Sequence, residues 1–183
     1  MEKQLSFFSN LAKKEEIKSS KEPIKKEKIY WKIYTDGACR GNPGLSGAGI
    51  YLENLTGKKI SKCFYLGEKT NNQAEYLALA LAIFLLKSEM VSKPDQELKI
   101  TIISDSELLV RQIKGLYKVR DLTLKCLKNL IFYLLEGVVF EVKHVLRENN
   151  KKADALANKA IDEKKEKIPL KFVMLLKRFN LTF

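Results

Sequence analysis

Three β-rich runs follow one another, with only short turns between them, before any helical run begins. That order commits the chain to a sheet that starts as an antiparallel meander. The first run, IYWKIYTD over 29–36, is rich in β-branched and aromatic residues and ends in a turn at Gly41-Asn42-Pro43-Gly44. The second, GAGIYLE over 47–53, and the third, KISKCFYL over 59–66, are joined around Thr56-Gly57. A helix is predicted next, capped by Thr70, Asn71 or Asn72, with Ala74, Leu77, Ala78 and Leu81 as its apolar stripe. It runs to about Met90, and Pro94-Asp95 stops it.

The remaining elements alternate. LKITIIS over 98–104 reads as a buried strand, Ser106-Glu107 opens a short helix that Gly115 ends, and 121–135 reads as a helix. VVFEVKHV over 138–145 is a fifth strand, and a last helix runs from Lys151 to about Lys164. The order βββαβααβα predicts an α/β fold: a five-stranded mixed sheet, strands 1–3 an antiparallel meander and the later strands parallel, with helices packed on it. Residues 1–28, with eight Lys, five Glu and one Pro, read as a flexible arm, and 29–163 as the folded domain. The closing segment 164–183 is apolar and basic and fits no predicted element. Packing against the domain is its expected role, because Leu and Phe are usually buried; a dimer contact or a nucleic-acid-binding appendage are the alternatives.

Charge narrows the classes of partner. The whole chain carries +12, while residues 29–162 hold 20 Lys and Arg against 15 Asp and Glu, a net of +5. A basic body suits a polyanionic partner, although solvated lysine faces would give the same balance. No apolar run approaches the roughly 20 residues that span a bilayer, and the N-terminal residues lack the layout of a signal peptide. Cys39, Cys63 and Cys126 are odd in number and widely spaced, which suits a reducing cytoplasm better than a disulfide framework or a zinc site. A cytoplasmic protein without a membrane role is expected.

Four acids stand out by context: Asp36 in YTDGACRGNPG, Glu75 in TNNQAEYLALA, Asp105 in ISDSELLV and Asp154 in NNKKADALANKA. Asp36 and Asp105 end strand-like runs, and the other two lie in helical runs. Singly, each suits a cap or a turn. Gathered from four elements, they would repel one another and hold their protons unless cations neutralise them. Oxygen-only ligands of this kind suit Mg²⁺ or Mn²⁺ rather than zinc.

In order and context these pieces (TDGACRGNPG, TNNQAE, SDS, and N-x-x-x-D followed by ALANKA) closely resemble the type 1 ribonuclease H family over roughly residues 29–162. The resemblance implies an RNase H-like fold and an endonuclease that hydrolyses the RNA strand of RNA–DNA hybrids, leaving 5′-phosphate and 3′-hydroxyl ends. It implies two Mg²⁺ ions, with Mn²⁺ as the substitute. Asp36 would bridge both, with Glu75 and Asp105 on one side and Asp154 on the other. It further implies that the backbone at Gly37, Cys39 and Gly41, with the side chains of Asn42 and Asn72, contacts the RNA strand, and that Thr70 holds a DNA phosphate. The alternatives are another nuclease or strand-transfer member of the superfamily, or a non-catalytic hybrid-binding module.

Two departures from the better-known pattern follow. GLYKVRDLTLKC replaces the Lys/Arg-rich inserted helix by which some members grip hybrid. The sole histidine, His144, lies ten positions before Asp154, inside the strand-like run 138–145 rather than on a glycine-rich loop. His144 is therefore expected at a strand end, with Arg147 or Glu148 left to approach the scissile phosphate. At the N-terminus, Gln4, Leu5, Phe7 and Phe8 of QLSFF resemble the short peptide with which bacterial replication and repair proteins dock on the sliding clamp. A monomer is expected.

Overall fold

The computed structural model describes residues 27–90, 96–164 and 166–182. Its sheet runs β3-β2-β1-β4-β5, from β1 (Glu27–Gly41), β2 (Gly44–Asn54), β3 (Lys59–Lys69), β4 (Gln96–Ser104) and β5 (Val139–His144). The first three strands pair antiparallel, and β4 and β5 add in parallel, as the element order predicts. Among the described residues the α-helices are α1 (Asn71–Met90), α2 (Glu107–Ile113), α3 (Leu122–Leu134), α4 (Lys151–Glu163) and α5 (Leu170–Arg178).

Local chemistry sets the helix starts. Thr70 Oγ1 accepts from the Gln73 amide at 3.3 Å while Gln73 Oε1 accepts from the Thr70 amide at 3.1 Å, a reciprocal capping box that opens α1. Ser106 caps α2, and Asp121 caps α3 by accepting from the Leu124 amide at 2.8 Å. The apolar stripe expected of α1 is too narrow. Leu79, Ala80, Ala82 and Ile83 are fully buried as well, so the helix is enclosed on nearly every side.

β1 departs from expectation at both ends. It starts at Glu27 and continues past Asp36 to Gly41, where it pairs with Gly44, so the turn shrinks to Asn42-Pro43. Asp36 is thus inside a strand, not at its end. The glycine-rich stretch stays extended because ladder bonds to β2 hold it. Pairing of β1 with β4, however, stops at Tyr34 with Ile103, two residues before Asp36. The sheet forks there, and this fork places the acid at the mouth between β1 and β4.

The C-terminal segment, which fits no element by pattern, forms α5. Phe172 and Leu176 are fully buried in the same hydrophobic core as α1 and α3. Phe172 meets Phe84 edge-on with ring centres 5.2 Å apart, and Phe179 lies 5.4 Å from Tyr133. Its buried residues, Phe172 and Leu176, stand four positions apart on one helical face, a signal that was present in the sequence but confined to a helix of nine residues.

Candidate active site

Glycines bring the helices onto the strands that carry the acids. A Cβ at Gly37 would stand 2.2 Å from the Glu75 backbone nitrogen, so β1 and the start of α1 touch main chain to main chain. Gly49, the cross-strand partner of Asp36, would put a Cβ 1.9 Å from the Ala153 carbonyl oxygen. The N-terminal turn of α4, which carries Asp154, therefore rests on the sheet beside Asp36. Asp105 directly follows the last residue of β4.

Four acids from four elements share one electrostatic neighbourhood. The Asp36 carboxyl is pushed up to about 6, first by burial and then by the charges of Asp105 and Asp154, with Arg147 pulling the other way. Glu75 is pushed up to about 7, again chiefly by burial, with Asp36 and Asp105 adding to it. Hydrogen bonds from Ser106 and Asn71 oppose that rise.

Three of the acids are each turned to a side-chain partner of their own, while Asp36 takes a hydrogen bond from the Gly37 backbone. Arg147 Nη2 donates to Asp154 Oδ1 at 2.7 Å, Asn150 Nδ2 to Asp105 Oδ1 at 2.7 Å and Asn71 Nδ2 to Glu75 Oε1 at 3.0 Å. Among the described residues, no three His, Cys, Asp or Glu side chains converge closely enough to cage an ion as they stand. Like charges with individual partners have no reason to close on one another. The donor set is nevertheless all oxygen, anionic and partly buried, which is the chemistry that fits Mg²⁺ or Mn²⁺.

The other expected residues are placed as follows. Gly37 is buried against α1, so packing alone requires a glycine there. Cys39 is half-buried, with its thiol bonded to the carbonyl of Gly41 and, at 3.0 Å, to that of Lys69. Gly41 and Asn42 are exposed at the hairpin turn, and Asn42 Oδ1 accepts from the Asn71 amide at 3.1 Å, tying the turn to the start of α1. Thr70 and Asn72 are half-buried beside it. Thr70 spends an oxygen lone pair on its cap but keeps its hydroxyl proton to donate. His144 is the last residue of β5, exposed, with Nε2 3.2 Å from the Asp105 carbonyl oxygen. Arg147 and Glu148 lie in a 3₁₀ turn (Arg147–Asn149) ahead of α4. Gln4, Leu5, Phe7 and Phe8 lie outside the described residues. Asn150, Ser106 and Asn71 are partners of the acids that sequence reasoning missed. The N-x-x-x-D spacing was the one signal for Asn150.

This fold has known counterparts. The family model of RNase H matches residues 27–162, and the chain belongs to the RNase H family. It is 37% identical over 132 residues to a ribonuclease HI of Halobacterium salinarum, which covers 71% of this chain and 63% of that protein's length. It is 35% identical over 151 residues to a ribonuclease H of Alcanivorax borkumensis, covering 74% of this chain and 93% of the relative. Among solved structures, LC11-RNase H1 in complex with RNA/DNA hybrid superimposes with a TM-score of 0.66 at 38% identity, covering 74% of this chain and 99% of that one. The family is generally dependent on divalent metal ions. Among the described residues, no helix is long and apolar enough to cross a membrane.

Proposed function

We propose that this chain is an endonuclease that hydrolyses the RNA strand of RNA–DNA hybrids to 5′-phosphate and 3′-hydroxyl ends, using Asp36, Glu75, Asp105 and Asp154 as its catalytic, metal-holding carboxylates. The observation that supports this reading is the arrangement of the acids on four separate elements around the fork between β1 and β4, with Asp105 and Asp154 near enough to Asp36, and Asp36 and Asp105 near enough to Glu75, to act on those carboxyls. Two divalent ions, Mg²⁺ or in its place Mn²⁺, would supply an activated water, a neutralised phosphate and a stabilised leaving oxygen.

The chain's own part is to position and to discriminate. Asp36, fixed within β1, would be one of the residues that hold the metal, and Asp154 would join it once released from Arg147. The Arg147 side chain is 79% exposed, so it can swing from Asp154 to the scissile phosphate. There it would act as a fixed charge and not as a proton shuttle, because guanidinium does not deprotonate. His144 we assign to holding the end of β5 against the Asp105 backbone, and Glu148 to an auxiliary place beside Arg147. The backbone at Gly37, Cys39 and Gly41 with Asn42 and Asn72 would face the RNA strand, where the 2′-hydroxyl distinguishes RNA from DNA, and Thr70 would donate to a DNA phosphate.

The deciding experiment is cleavage of matched hybrid, double-stranded RNA and double-stranded DNA, with Mg²⁺ and with EDTA. Cleavage of the RNA strand of hybrid alone, and only with the metal, is expected. Equal cleavage of double-stranded DNA would point to another nuclease of the superfamily, and binding without cleavage to a non-catalytic module. The protein would act as a cytoplasmic monomer.

The arm of residues 1–28 would tether a clamp-docking peptide at Gln4, Leu5, Phe7 and Phe8, since a polar, lysine-rich linker presents such a peptide at useful effective concentration. Deleting residues 1–9 is expected to remove binding to a bacterial sliding clamp, measured by surface plasmon resonance, and to leave cleavage of free hybrid at the full-length rate. Undiminished clamp binding would refute the tether.

A further inference from the structure

Asn150 occupies the N-cap position of α4, where an Asn side chain ordinarily accepts from the helix's own first amides. Here it makes no capping bond. The side chain is 1% exposed and turns the other way, donating through Nδ2 to the Thr35 carbonyl oxygen at 3.0 Å and to Asp105 Oδ1 at 2.7 Å. Both partners are acceptors, so the amide must present its nitrogen to them and its orientation is fixed. Its oxygen is buried without a hydrogen-bond partner, a cost the chain accepts to keep the nitrogen in place.

The three groups it joins are the ones that must be held in register. Thr35 precedes Asp36 on β1, Asp105 follows β4, and Asp154 lies one turn along α4, its amide bonded to the Asn150 carbonyl at 3.1 Å. One amide thus spans the fork at which β1 and β4 part. It occupies one oxygen of Asp105, and does so with a neutral donor.

We propose that Asn150 is a positioning residue for metal uptake: its amide orients the Asp105 carboxylate and locks the start of α4 to β1, so that three of the acids meet a cation together. This rests on the metal-site reading above. Partners that orient a metal's ligands typically account for about 10–100-fold in metal affinity or activity.

The test compares wild type, Asn150→Ser and Asn150→Ala by calorimetric titration with Mg²⁺, steady-state cleavage of hybrid at saturating Mg²⁺, and urea unfolding. Asn150→Ser, which keeps a donor, is expected to fold and to bind Mg²⁺ about tenfold more weakly. Asn150→Ala is expected to approach a 100-fold loss in Mg²⁺ affinity or kcat, with KM for hybrid unchanged. A residue that only satisfies the Thr35 carbonyl would lower the urea midpoint and leave Mg²⁺ affinity and kcat of the folded protein at wild-type values. That result overturns the proposal. Should Asn150→Ala fail to fold, Asn150→Ser decides: wild-type affinity and kcat in that variant overturn it equally. Wild-type protein that takes up no Mg²⁺ would overturn the metal-site reading along with it, whereas normal uptake indifferent to residue 150 overturns this inference alone.

Discussion

Asp36→Asn is expected to reduce hybrid cleavage by at least about a thousandfold, because several kcal/mol of charge stabilisation are lost with a shared metal ligand. The same change is expected to make the protein more stable at neutral pH in EDTA. The Asp36 carboxyl is raised from 3.8 to about 6, so the folded protein holds that proton more tightly than the unfolded chain does. Stability from this group is fully present below pH 3.8 and is lost as pH rises through about 6. Glu75, raised from 4.5 to about 7, acts in the same sense. Wild type should therefore melt lower at pH 8 than at pH 5 in EDTA, and Mg²⁺ should restore part of the loss. Each unit of displacement corresponds to about 1.4 kcal/mol. With residual solvent moderating it, about 2 kcal/mol is expected from Asp36, or roughly 4–8 °C in melting temperature. Differential scanning calorimetry of both proteins across that pH range checks the sign. A variant that melts no higher than wild type at pH 8 contradicts the burial of this charge, and one that cleaves normally contradicts its role.

The second large effect concerns a residue with no side chain. Gly49→Ala would drive a methyl group to 1.9 Å from the Ala153 carbonyl oxygen and 2.5 Å from the Ala157 nitrogen. Both are helix backbone and have no rotamer to change, so α4 must lift from the sheet. Overpacking of this kind usually costs about 1–3 kcal/mol, and a backbone collision belongs at or above the upper end. The consequence reaches chemistry, because Asp154 is the next residue after Ala153. A displacement near 1 Å can cost about a hundredfold in rate. Urea unfolding should show the stability loss, and cleavage measured at a temperature where the variant stays folded should show the second. Gly57→Ala provides the contrast: nothing lies within 4 Å of its Cβ position, so only its positive φ is strained, and cleavage should be untouched. If Gly49→Ala is as stable and as active as wild type, α4 does not press on β2 as described.

These two cases show where sequence was sufficient and where it was not. The element order, the mixed sheet and the four acids were legible because each is local: a β-rich run, a polar cap among Thr70, Asn71 and Asn72, an acid within a short recognisable context. The extent of β1 beyond Asp36 was not, since a glycine-rich stretch reads as a turn until a partner strand pairs with it. Nor was the closeness of Gly49 to α4, which joins positions about a hundred residues apart. The partners of the acids were hidden for the same reason. Asn150 reaches Thr35 across 115 positions and Asp105 across 45, and no periodicity carries such a pairing. His144 could be placed at a strand end by alternation, but its engagement with the Asp105 backbone required the parallel pairing of β4 with β5.

The helix α5 lies wholly beyond residue 162, where the likeness to the family stops, yet it fills the same interior as α1 and α3. Boundaries of ancestry and boundaries of folding therefore disagree in this protein. A chain trimmed to its recognisable portion would keep every acid and still strip the ring contacts from Phe84 and Tyr133, leaving an oily scar where α5 had lain. A working boundary for this protein is therefore set by what Phe172, Leu176 and Leu181 fill, not by where the family likeness ends.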